Sequence, residues 1–112
     1  MVKVLRERNV TLAEVKRILE EKGEREELTT IEQTTLEYAH KFAKIDHEAA
    51  AKLVSELVEC GISEEAAIQV VNIMPESTEE LRTILMREEV ELTPEFLARV
   101  LEIVDKYRGE AP

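Results

Sequence analysis

The sequence predicts an all-α chain of six helices preceded by one short strand, and three observations carry that prediction. Capping residues and helix breakers alternate at helical intervals along most of the chain, and apolar residues between them recur at three- and four-residue spacing. Only the first residues alternate as a strand would. With 112 residues, 44% of them apolar, there is material for one core, which needs no disulfide to hold it.

The strand comes first. Val2-Lys3-Val4 alternates, Leu5 and Val10 add apolar surface, and no cap or helical stripe precedes Thr11. No second strand is available to pair with it, so its backbone N–H and C=O groups call for a sheet edge on another molecule.

The first helix, 12–22, opens on a capping box of Thr11 with Glu14 and a staple of Val10 with Val15. Its Leu12, Val15, Ile18 and Leu19 form a narrow apolar stripe, marginal unless docked. Thr30 with Gln33 opens helix 31–43, where Ile31, Thr35, Tyr38 and Phe42 follow i, i+4, i+7, i+11. That stripe needs a cover.

Asp46 before Glu48 opens helix 47–60, and Ser63 before Glu64 and Glu65 opens helix 64–74, which Pro75 stops. Thr78 before Glu79 and Glu80 opens helix 79–88. Helix 94–108 begins at Thr93-Pro94-Glu95, with Leu92 and Leu97 as staple and Phe96/Leu97, Val100/Leu101, Val104, Tyr107 as its apolar stripe. Gly23, Gly61 and Gly109 each stand where a left-handed residue closes a helix. On the outer faces, Glu37 to Lys41, Glu48 to Lys52, Glu95 to Arg99 and Glu102 to Lys106 are i, i+4 pairs worth about 0.2–0.5 kcal/mol each.

Charge excludes some functions. Fifteen Lys+Arg against 25 Asp+Glu give a net charge of -10, which repels phosphate backbones and anionic headgroups. The charge is uneven, because residues 1–22 hold six bases and four acids, a net of +2 that leaves -12 for the remainder. Cys60 is the only cysteine, so neither a disulfide nor a Cys-based zinc site is expected. Lys3, Arg6, Glu7 and Arg8 interrupt the apolar run a secretory signal needs, and no segment approaches 18 apolar residues. A soluble, cytoplasmic protein is expected.

The inventory for catalysis is thin. The acid pairs Glu26/Glu27, Glu64/Glu65, Glu79/Glu80 and Glu88/Glu89 sit mostly at helix ends, where they serve the helix dipole. Glu37-x-x-His40 has the spacing of one half of a di-iron site, but Lys44 stands where His47 would need its glutamate. The three glycines are too scattered for a phosphate loop, and Cys60 in a last helical turn reads as a buried inert thiol. Catalytic residues, metal ligands and cofactor are all expected to be none.

The order of several segments resembles a known family. Leu28-Thr29, Glu32, Leu36-Glu37-Tyr38-Ala39 and Lys41-Phe42-Ala43-Lys44 resemble the second helix of the F-type subunit of archaeal RNA polymerase, the counterpart of the fourth subunit of eukaryotic RNA polymerase II. The likeness continues through Ala51-Lys52-Leu53-Val54, Glu56-Leu57, Gly61-Ile62, Glu64-Glu65-Ala66, Asn72-Ile73-Met74-Pro75, Glu80-Leu81-Arg82, Ile84-Leu85 and Leu101-Glu102-Ile103-Val104-Asp105-Lys106-Tyr107.

The resemblance implies an N-terminal part, residues 1–45, that wraps a larger partner, the E-type subunit of the polymerase, and a helical HRDC-like domain at 46–112. It also implies a polymerase stalk that assists promoter opening, contacts emerging transcript and influences elongation and termination, with RNA held mainly by the partner's OB-type domain. Val2, Val4, Leu5, Val10, Leu12, Val15, Ile18 and Leu19 are then the expected partner-binding residues. An HRDC-type nucleic-acid-binding module is the alternative, set against the many acids that surround Lys52, Arg82, Arg87, Arg99, Lys106 and Arg108.

Overall fold

The computed structural model describes residues 10–109, and among them the chain is all-α, with six helices and no strand. These are α1 (Leu12–Arg25), α2 (Thr30–Phe42), α3 (His47–Glu59), α4 (Glu64–Ile73), α5 (Thr78–Leu85) and α6 (Pro94–Lys106). The expected N-terminal strand, with Val2, Val4 and Leu5, lies outside the described residues.

Four of the six anticipated N-caps form as read. Thr11, Asp46, Ser63 and Thr93 each accept a hydrogen bond from a backbone N–H in the first helical turn. The other two lie one residue earlier than expected. Thr29, not Thr30, caps α2, with Glu32 returning a bond to the Thr29 N–H in a full capping box. Ser77, not Thr78, caps α5 through the Glu80 N–H.

The glycines need correction too. Gly61 does take a positive φ, 104°, after α3. Gly23 lies inside α1, which runs on to Arg25, and Gly109 has no positive φ. The left-handed residue that ends α4 is Met74, at φ 51° and ψ 66°, directly before Pro75. A non-glycine residue there costs about 1–3 kcal/mol. Burial of its side chain and the Arg108 guanidinium, which donates to the Met74 and Pro75 carbonyls at 3.1 and 2.6 Å, hold it in place.

Packing centres on α3. Helices α3 to α6 each pack on the next, and α6 returns to α3, closing a four-helix ring around Leu53, Leu57, Val70, Leu81, Leu85, Val100 and Val104. All seven side chains are fully enclosed. The α1–α2 hairpin joins this ring through α1, which lies on α3 and contributes Ala13 and Leu12 to the same core. The Leu12 N–H donates to Asn72 Oδ1 at 3.0 Å, so the start of α1 is tied to the end of α4. α2 packs chiefly on α1, and the molecule is correspondingly elongated, 48 × 34 × 19 Å.

None of the four expected i, i+4 pairs forms an ion pair among the described residues. Lys106 instead reaches across to Glu56 on α3 at 2.9 Å, and Lys41 lies 5.5 Å from the centre of the Phe42 ring.

Candidate partner interface

The residues expected to bind a partner fall into three groups. Val2, Val4 and Leu5 are outside the described residues. Val10 is half-buried and lines a cleft of about 200 Å³ with Thr11, Glu14, His47, Ala51, Val54, Glu64 and Ile68. Along α1, Leu12, Val15 and Leu19 are half-buried, while Ile18 is 40% exposed. Leu12 is partly engaged by the protein's own core, so the α1 stripe serves the hairpin as well as any outer surface.

The hairpin is fastened at its distal end by Lys22 of α1, whose amino group donates to the Glu32 carboxylate on α2. That hydrogen bond raises the Lys22 pKa above its ordinary value. The same bond, helped by the Thr29 N–H, lowers that of Glu32. Each group therefore favours the charged form of the other, and the pair joins the two helices near the turn between them.

The orientation of α2 inverts the usual arrangement. Its buried positions are the small residues Ala39 and, just past its end, Ala43, and Leu36 is half-buried, whereas Ile31, Tyr38 and Phe42 face outward. Ile31 is 77% exposed, Tyr38 56% and Phe42 41%. The Tyr38 and Phe42 rings sit 4.7 Å apart, tilted by 43°, in contact with each other on the surface. Large apolar side chains gathered on one exposed face mark interaction surfaces.

Sequence reasoning found this stripe but not its exposure. The signal was present, since a helix with alanines on one line and aromatics on another can bury only one of them at close approach. The expectation for Cys60 is also revised, because the thiol is half-buried rather than buried. His40 is exposed, and among the described residues no three His, Cys, Asp or Glu side chains gather where they could hold a metal ion. Glu88 of the acid pairs accepts from the Ser63 N–H and hydroxyl at 2.7 and 3.0 Å, closing the start of α4. No helix among the described residues is long and apolar enough to cross a membrane.

This geometry defines a class of protein: a small all-α chain that, among the described residues, carries exposed apolar side chains along the outside of a helical hairpin. Its particular place follows from comparison, for the chain belongs to the RNA polymerase Rpb4 family, whose model matches residues 5–108. It is 41% identical over 105 residues to the DNA-directed RNA polymerase subunit Rpo4 of Methanocaldococcus jannaschii, covering 94% of this chain and 89% of that one. Similarity to the Rpo4 subunit of Sulfolobus acidocaldarius is 24% over 107 residues, covering 95% and 94%. The resemblance read from the sequence is thereby borne out.

Proposed function

We propose that this chain is the non-catalytic stalk subunit of an archaeal DNA-directed RNA polymerase, working as a heterodimer with the larger, E-type stalk subunit in the cytoplasm. Residues 1–45 form the partner-facing part, and 46–112 an HRDC-like body. The observation that carries the reading is the family match across residues 5–108, together with a relative at 41% identity whose name is that of a polymerase subunit. The role of the pair is to support promoter opening, to bring transcript to the stalk and to influence elongation and termination. RNA contact runs mainly through the partner, consistent with a net charge of -10 on this chain.

Physical chemistry supports the division of labour. An N-terminal segment that alternates in sequence as a strand would, with no second such segment to pair with, and a helix with a narrow apolar stripe are both features that a partner binding only the folded chain would stabilise. Mixing the purified chain with the E-type subunit and running size-exclusion chromatography tests the reading. A 1:1 complex is expected; two separate peaks at micromolar concentration would refute it.

A further inference from the structure

Three helix ends are joined by one run of hydrogen bonds: the start of α1, the end of α4 and the end of α6. The Leu12 N–H, at the first position of α1, has no partner within its own helix, as at any helix start. It donates at 3.0 Å to Asn72 Oδ1, 60 positions further along the chain in the last turn of α4. Thr11 beside it is buried, which limits the water that could take the place of Asn72. Two residues after Asn72, α4 ends in the positive-φ Met74. Arg108 donates to the Met74 and Pro75 carbonyls at 3.1 and 2.6 Å, and its Nε and Nη2 donate to Asp105 Oδ1 on α6 at 2.9 and 2.7 Å.

The packing of α1 makes this run matter. Of its 14 residues only Ala13 is buried, while Leu12, Val15 and Leu19 are half-buried. An alanine raises only a shallow ridge against a neighbouring helix, so it resists pivoting weakly. With α1 about 20 Å long, a swing of about 10° at its start carries the far end through about 3–4 Å. α2, packed chiefly on α1, would move with it.

We propose that Asn72 and Arg108 form a lock that fixes the angle of the α1–α2 hairpin on the α3–α6 body. Asn72 is the positioning residue for α1, and Arg108 keeps Asn72 in place by holding the left-handed close of α4. The lock goes beyond the stalk reading and does not depend on it, because every group in it belongs to this chain. Whatever holds the hairpin then also sets the direction in which the body points, and a disturbance at the end of α6 is passed to the hairpin.

The test is double electron–electron resonance on the full chain, spin-labelled at Thr34→Cys on α2 and Glu102→Cys on α6, both exposed sites, in a Cys60→Ser background. A second label pair within the body, Gln69→Cys on α4 with Glu102→Cys, is the control. Narrow distance distributions are expected for the chain with the lock intact and for Asn72→Asp, which keeps an acceptor oxygen at the same reach. Asn72→Leu and Arg108→Met should each widen the hairpin-to-body distribution by about 3 Å, the far-end displacement given by a swing of about 10°, and leave the body pair narrow. A hairpin-to-body distribution that stays narrow in either Asn72→Leu or Arg108→Met overturns the proposal. Equal widening in Asn72→Asp and Asn72→Leu overturns it as well, since the acceptor oxygen would then not be what positions α1. A body pair that widens in Arg108→Met also counts against it, because Arg108 would then serve the whole body and not the hairpin.

Discussion

The Tyr107 hydroxyl donates to the Glu56 carboxylate, binding the end of α6 to the middle of α3, 51 positions earlier in the chain. Lys106 donates to the other carboxylate oxygen at 2.9 Å, so two consecutive residues converge on one acid. The Tyr107 hydrogen bond, then that of Lys106, holds the Glu56 pKa below the ordinary carboxylate value. A carboxylate lowered in the folded state adds stability above its unfolded pKa and loses it as pH falls through the folded one. The Tyr107→Phe variant should therefore be less stable by about 1 kcal/mol at pH 7. Urea midpoints at pH 7 and in acid should show the gap between variant and wild type narrowing as Glu56 protonates; a constant gap would contradict the assignment.

The two inner glycines predict opposite outcomes. A Cβ at Gly23 would meet Leu28 at 3.6 Å, an ordinary contact, inside a helix where glycine is costly. Gly23→Ala should raise stability by about 0.5–1 kcal/mol. At Gly61, with φ 104° and the Val90 side chain 3.4 Å from the added carbon, alanine should lower it by about 1–2 kcal/mol. Thermal melts of the two single variants check the signs.

Capping register can be tested in the same way. Thr29→Ala removes the acceptor for the Glu32 N–H and should cost about 1 kcal/mol, whereas Thr30→Ala, one residue inside α2, should change little. Equal effects would mean that α2 starts elsewhere.

Core and outer face should separate cleanly. Leu57 is fully enclosed, so Leu57→Ala should cost about 2–5 kcal/mol. Ile31→Ala, at a site 77% exposed, should stay within about 0.5 kcal/mol of wild type. Chemical denaturation of both variants decides whether the α2 stripe is held by the isolated chain or left for something else.

Much of this architecture was legible in the sequence, and the reasons are local. Thr11, Asp46, Ser63 and Thr93 each stand alone before their helices, so chemistry and position agree. Thr29-Thr30 and Ser77-Thr78 offer two adjacent hydroxyls, and only the backbone path decides which one reaches the free N–H groups. Gly23 read as a stop because glycine often ends helices, but the chain around it continues the hydrogen-bond ladder to Arg25.

The α2 stripe was legible as a pattern and not as a surface, since periodicity states which residues share a face but not whether the chain itself covers it. Met74 gave no warning of its left-handed backbone. Its carbonyl accepts from Arg108, 34 positions away, a contact that no local pattern reveals.

The central claim is that the N-terminal part of this chain completes a surface on a partner. Titration calorimetry of the E-type subunit against the intact chain and a chain lacking residues 1–9, which keeps the Thr11 cap, tests it most directly. The account predicts that truncation abolishes or greatly weakens binding while the helical spectrum is unchanged. Equal affinity for the two chains would contradict it.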